Sequence, residues 1–170
     1  VEIAPPGVNP QVYLIDTRKS QEITRFPGQQ PTWGPDGQEL IIKHCAPDCG
    51  LWRVDLDGSN GSRVTDDSTD SYPSWSADGR YLVFSSRFRA SDWEIYRLDL
   101  ATDELLRLTN RSGTDTTPVF SPDGLEIYIR TDALGSWQIT AMAVDGSAER
   151  PVMDKIGPSD DWGLARPAVH

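Results

Sequence analysis

The sequence predicts an all-β fold built from repeated units of four short antiparallel strands. One pattern, a proline and an aromatic residue followed by an Asp-Gly turn and an apolar run, occurs three times. A second hairpin-like pattern follows each copy. The first pattern reads PTWGPDGQELIIKH (31–44), PSWSADGRYLVFSSR (73–87) and PVFSPDGLEIYIRT (118–131). The second reads LWRVDLDGSNGSRVT (51–65), IYRLDLATDELLRLT (95–109) and QITAMAVDGSAERPVM (138–153).

The turn glycines set the period of the repeat. Gly37, Gly79 and Gly124 are 42 and 45 residues apart, and such a period indicates a repeat architecture. The Asp-Gly steps supply the positive φ that tight hairpins need, and the apolar runs of four to six residues favour strands a to d in each unit. We expect strand a near Thr32–Gly34, Ser74–Ser76 and Val119–Ser121.

The two ends of the chain complement each other. Residues 1–30 match strands b, c and d of the other units, with Glu2–Ile3 as strand b, and residues 167–170 match the start of strand a. We therefore expect one domain, 1–170, whose repeats cover about 31–72, 73–117 and 118–166 and whose remaining unit combines 1–30 with 167–170. A ring closed in this way leaves no exposed strand edge.

The repeats resemble those of a known family. The P-x-[WF]-[SG]-x-D-G step, the IY-x-L-D strand and the R-L-T ending are similar to the TolB-like, or PD40 (WD40-like), β-propeller repeats. The resemblance implies a propeller of four-stranded blades, whereas such repeats occur with many functions. We expect a module for protein binding or extracytoplasmic scaffolding, and a carbohydrate-active or peptidase-associated propeller domain is an alternative. Family propellers usually have six or more blades, whereas this chain supplies four. Two chains sharing a ring, or neighbours exchanging strands in an assembly, are therefore alternatives to self-closure.

Composition narrows the range of partners. The net charge is −10 and the acidic residues are spread along the chain, a surface that repels phosphate backbones, so we expect no nucleic acid partner. No segment approaches the roughly 20 apolar residues of a membrane span. The chain begins with Val rather than Met, so we expect a processed product or a domain of a longer protein.

Two cysteines lie in the HCAPDCG segment between strands b and c of one unit. Cys45 and Cys49 can approach closely enough for a disulfide, which we expect together with an oxidising compartment. Free thiols are one alternative. A metal site is another, but His44 is the one further ligand nearby and a zinc site needs four.

Topology predicts where binding residues lie. The a–b and c–d turns of each unit are short, whereas the b–c and d–a connections at the opposite end are long and irregular, as suits binding loops. Interface anchors are often aromatic or arginine residues. We expect partner binding by Arg87, Arg89, Trp93, Trp137, Asp160, Asp161 and Trp162. Packing between blades is the alternative for the tryptophans.

Acidic residues at the same end suggest a cation site. Asp70 and Asp115 each stand three residues before the proline of strand a. They either hydrogen-bond loop amides or, with Asp66, form a carboxylate ring that holds Ca²⁺. We expect no required cofactor, with Ca²⁺ as the alternative.

Sequence motifs give catalysis little support. His44 and His170 are the two histidines, and neither lies in a motif that pairs it with a nucleophile. G-x-S-x-G, Walker-type and H-E-x-x-H patterns are absent from the sequence. We predict a non-enzymatic protein, and a carboxylate pair acting on sugars is the catalytic alternative.

Overall fold

The computed structural model describes residues 2–3, 9–46 and 48–154, and within them the chain is all-β, as predicted. The described residues form fifteen strands and no helix. The strands make one three-stranded and three four-stranded antiparallel sheets, each a simple meander. We call these sheets blades 1 to 4 in chain order.

The strand bounds follow the predicted repeats. Blade 1 contains β1 (Glu2–Ile3), β2 (Gln11–Asp16) and β3 (Gln21–Pro27). Blade 2 contains β4 (Gln29–Trp33), β5 (Glu39–Cys45), β6 (Cys49–Asp55) and β7 (Ser62–Arg63). Blade 3 contains β8 (Ser71–Trp75), β9 (Tyr81–Ser86), β10 (Glu94–Asp99) and β11 (Leu105–Arg107). Blade 4 contains β12 (Asp115–Phe120), β13 (Glu126–Thr131), β14 (Gln138–Ala143) and β15 (Arg150–Met153).

Blade 1 has the strand order that its sequence predicts. The segment Glu2–Ile3 pairs with Val12 and Gln11 of β2, in the place of a strand b. Its outermost strand, β3, pairs with β2 along the whole of that strand. The innermost strand predicted at 167–170 lies outside the described residues, so the closing strand stays a prediction.

Strand a of each complete blade begins three or four residues before the predicted position. The predicted strands begin directly after Pro31, Pro73 and Pro118. The structure instead places a β-bulge at the proline in all three blades. The residue before each proline has a positive φ, of 54° at Gln30, 55° at Tyr72 and 49° at Thr117. Such non-glycine conformations are strained and need support from their surroundings.

Side chains of neighbouring strands provide that support. The Tyr72 amide donates to Oε1 of Gln30 on the preceding blade at 2.7 Å. The Thr117 amide donates to Oγ of Ser85, again on the preceding blade, at 3.1 Å. The innermost strands are therefore fixed to one another at the end where the long loops lie.

The a–b turns show why the S-x-D-G motif recurs. In blade 3, Asp78 accepts hydrogen bonds from the Ser76 hydroxyl at 2.6 Å and the Arg80 amide at 3.0 Å. Ser76 Oγ also accepts one from the Tyr81 amide at 2.8 Å. The two hydrogen bonds that Asp78 accepts lower its pKa, and the bond from Ser76 contributes the larger part. Blade 4 repeats the arrangement at Ser121 and Asp123, so this end of each blade is held in a fixed hairpin.

The hydrophobic core lies between blades rather than within them. Successive side chains of β9 point to opposite faces. Leu82 and Phe84 therefore pack in the core shared with blade 2, and Val83 packs in the core shared with blade 4. A third core joins blades 1 and 2 through Val12, Phe26, Leu40, Ile42 and Val54. Each blade is thus rigidly seated on its neighbours, which gives the loops at the blade ends a firm base.

Candidate binding face at the long-loop end

The long loops of blades 2 to 4 lie at one end of the blades. This end carries the b–c loops 46–48, 87–93 and 132–137 and the d–a connections 64–70 and 108–114, which join the strands defined above. We call these segments together the long-loop face. The opposite end, formed by the a–b and c–d hairpins, is the tight-turn end.

The cysteines of the first b–c loop form the predicted disulfide. Cys45 and Cys49 are directly opposite each other at the ends of β5 and β6, and their sulfur atoms are 2.14 Å apart. The disulfide prediction is therefore confirmed. It closes the loop at the edge of the long-loop face.

Arg89 is partly buried, and its guanidinium pairs with groups of neighbouring segments. Its Nη1 atom donates to Oδ1 of the fully buried Asp70 and to Oγ of Ser86 at 2.9 Å. Asp66 and Asp67 lie 3.8 and 3.9 Å from the same guanidinium group. The guanidinium also lies 5.9 Å from the centroid of the Phe84 ring, within cation–π range. Arg89 therefore ties the d–a connection of blade 2 to the b–c loop of blade 3.

The three carboxylates of the predicted Ca²⁺ site each lie near an arginine. Asp66 and Asp70 lie against Arg89, whereas Asp115 accepts two hydrogen bonds from Arg111, at 3.0 and 3.1 Å. Within residues 9–46 and 48–154, no group of three or more histidine, cysteine or acidic side chains could hold a metal ion. In the same d–a connection, the carboxylate of Asp67 accepts a hydrogen bond from the Thr69 amide at 2.7 Å.

A cavity of about 570 Å³ opens at the long-loop face, where residues of blades 2, 3 and 4 line it. Two residues predicted from the sequence, Arg87 and Trp93, line it. Its wall also contains Gln30 and Tyr72, two of the strained residues that precede prolines. Backbone strain of this kind is concentrated at functional sites, which supports the cavity as a binding site.

The remaining predicted anchors divide into two groups. Trp137 is half-buried, and the guanidinium of Arg130 lies 4.5 Å from the centroid of its ring, which agrees with the packing alternative for this tryptophan. Asp160, Asp161 and Trp162 lie outside the described residues. Their role in binding stays a prediction.

Two exposed apolar residues at this face were missed by the sequence analysis. Phe88 and Leu134 lie in the b–c loops of blades 3 and 4 and are 79% and 76% exposed. Single exposed apolar side chains are common, and neither residue belongs to a repeated pattern. No sequence signal separated them from ordinary loop residues.

Lys43 is a third residue that the sequence analysis missed, and here a signal existed. It occupies the position of β5 that corresponds to Ser85 and Arg130 in the next two blades, opposite the bulged start of strand a. A charged residue inside the apolar run LIIKH has to be accommodated by polar neighbours or a cavity. The structure places Lys43 on the wall of the cavity.

Comparison with known proteins gives the same architecture. The chain is 44% identical over 77 residues to the Tol-Pal system protein TolB of Francisella tularensis, an alignment covering 44% of this chain and 18% of that protein. The crystal structure of TolB from Acinetobacter baumannii superposes with a TM-score of 0.73 at 26% identity and covers 84% of this chain. The described blades share the β-propeller fold of TolB. No family model matches the chain.

The TolB-like relatives also differ in extent from this chain. The chain spans 37% of the Acinetobacter baumannii protein and 67% of an uncharacterized protein of Agrobacterium fabrum, to which it is 24% identical over 199 residues. An oligogalacturonate lyase from Vibrio parahaemolyticus, at 16% identity and a TM-score of 0.61, shares the fold alone. The part of the chain that the structure describes contains no helix long and apolar enough to cross a membrane.

Proposed function

We propose that this TolB-like propeller is a non-catalytic interaction module that binds a protein partner through the long-loop face, outside the cytoplasm. The observation that carries this proposal is the cavity lined by blades 2, 3 and 4, because it combines room for a side chain with aromatic and cationic walls. Sites of this kind accept anchor residues of a partner. The disulfide supports an oxidising compartment.

The contrast between the two ends supports the choice of face. At the tight-turn end, hydrogen bonds within each hairpin occupy the polar side chains of the repeated turn, such as Ser76 and Asp78. At the long-loop face, Arg87 and Phe88 are held through their amides by Thr69 Oγ1, at 3.1 and 3.0 Å, while both side chains are exposed. Fixed backbone and exposed side chains suit a preformed binding surface.

The relatives support an interaction role rather than a reaction. The protein from Francisella tularensis is named for the Tol-Pal system, and we propose a comparable assembly role for this chain. The distant enzymes that share the fold differ too much in sequence to argue for a shared activity.

Site-specific photocrosslinking tests the proposal. Phe88 and Leu134 are replaced one at a time by p-benzoylphenylalanine, and the protein is produced in its source cells. We expect both positions to give an adduct with the same partner protein, because both side chains project from the long-loop face. Mass spectrometry of the adducts identifies the partner.

Leu125 provides the matched control, since it is 68% exposed and lies in the a–b turn of blade 4. We expect no adduct from this position. Equal crosslinking from position 125, or no adduct from 88 and 134, would contradict the proposal. An adduct with the mass of two copies of the chain would instead support the alternative, in which the protein is a structural subunit that assembles with itself.

A further inference from the structure

The ammonium group of Lys43 lies at the wall of the cavity with one hydrogen bond. Its Nζ donates to Oγ of Ser71 on blade 3 at 2.7 Å, and Ser71 in turn donates to the Thr69 carbonyl at 2.8 Å. An ammonium group has three N–H donors. Within residues 9–46 and 48–154, Ser71 accepts the one hydrogen bond that Lys43 makes, which leaves donors available to a ligand.

Neighbouring carboxylates do not neutralise Lys43 by direct pairing. Asp67 and Asp70 act on it through space, but both contact the guanidinium of Arg89. Burial lowers the pKa of Lys43, and these two negative charges oppose that shift. The lysine is thus held in a partly dry position, where a charge-assisted hydrogen bond is stronger than in water.

The charge of the cavity wall differs from that of the chain. Two cationic side chains, Lys43 and Arg87, and one carboxylate, Asp92, line the cavity, whereas the chain as a whole carries a net charge of −10. An acidic partner that is repelled by the general surface is therefore attracted at this place. Trp93 and Tyr72 add aromatic surface beside the cations.

We propose that the cavity binds a carboxylate of the partner protein, with Lys43 as its cationic contact and Arg87 as a second cation in the lining. This inference rests on the proposed function, because it names the chemistry of the group that the long-loop face receives. The carboxylate belongs either to an acidic side chain or to a chain terminus. Both present the same pair of oxygen atoms to the ammonium group.

Short peptides can test the cavity without the natural partner. The indole N–H signal of Trp93, assigned with Trp93→Phe, is followed by NMR during titration of the ¹⁵N-labelled chain. The probes are N-acetyl-Phe-Glu-amide with a side-chain carboxylate, N-acetyl-Phe-Gln with a terminal carboxylate, and N-acetyl-Phe-Gln-amide with neither. We expect the signal to shift with at least one of the two acids and not with the neutral peptide, and the acid that binds identifies the source of the carboxylate.

Substitution of Lys43 should remove this binding. Lys43→Gln is expected to raise the dissociation constant of the binding acid by about tenfold or more, since it removes a hydrogen bond to a charged group. Lys19→Gln is the matched control, because Lys19 is an exposed lysine on the β2–β3 hairpin, and it should leave the constant unchanged. Circular dichroism checks that both variants are folded.

The outcomes separate this inference from the proposed function. If the neutral peptide shifts the signal as the acids do, if none of the peptides does, or if Lys43→Gln binds as well as the unmodified chain, then the carboxylate inference is wrong. In those cases, crosslinking from positions 88 and 134 still supports the interaction role. Loss of all crosslinking with retained binding of the acids would leave the cavity as a carboxylate site and contradict the proposed protein partner.

Discussion

Replacement of Trp75 by Ala is expected to lower the free energy of unfolding by about 3–5 kcal/mol. Trp75 is 7% exposed and packs in the core that joins blades 2 and 3. Its Nε1 donates to the Gly79 carbonyl at 3.1 Å, and the guanidinium of Arg53 lies 4.7 Å from its ring centroid. The loss is measured by urea denaturation followed by circular dichroism.

Trp33 supplies the matched control for this prediction. It occupies the same position in the repeat but is 53% exposed. Trp33→Ala is therefore expected to change the free energy of unfolding by less than about 1 kcal/mol. Similar losses for the two variants would contradict the packing of Trp75 in the core between blades 2 and 3.

Replacement of Arg89 by Met is expected to cost about 3–5 kcal/mol of stability at neutral pH. The substitution keeps much of the side-chain volume but leaves Asp70, which is fully buried, without its cation. An uncompensated charge in the interior is strongly unfavourable. The double variant Asp70→Asn with Arg89→Met should recover part of the loss, because it removes both charges together.

An exposed ion pair gives the comparison. Arg150 and Glu126 are 2.8 Å apart at the surface of blade 4, and Arg150→Met should cost less than about 1 kcal/mol. A small effect of Arg89→Met, equal to that of Arg150→Met, would show that Arg89 is not a structural clamp.

The hairpin repeats were predictable from the sequence because their determinants are local. An Asp-Gly turn needs a residue at positive φ. The hydroxyl of the serine two positions before the aspartate accepts a hydrogen bond from the backbone amide that follows the turn. The alternation of apolar residues along strands such as β9 then places side chains on both inter-blade cores. Local chemistry of this kind leaves a direct signal in each copy.

The start of strand a was not predictable in the same way. The repeated Pro-aromatic motif placed the predicted strand after each proline, whereas the observed strand begins before it. The bulge depends on acceptors from the preceding blade, such as Gln30 for Tyr72 and Ser85 for Thr117. These partners are about 30 to 40 residues away in the sequence, and no local pattern connects them.

Burial of equivalent residues also depends on context. Trp33 and Trp75 each stand two residues after a proline, in corresponding segments of the repeat. Trp33 is nevertheless exposed, whereas Trp75 lies in the core. Asp70 and Asp115 were expected to bind loop amides or Ca²⁺, but Arg89 and Arg111 reach them from other segments of the chain. The residue types alone marked these tryptophans and aspartates as positions of interest. The side chains that they contact depend on the tertiary structure.

Hydrogen–deuterium exchange of the chain with its crosslinked partner locates the binding surface. We expect slower exchange on binding in residues 87–93 and 132–137, with unchanged exchange in the a–b turns around Gly79 and Gly124. Slower exchange at those turns, with the long loops unaffected, would contradict the claim that the long-loop face is the binding surface.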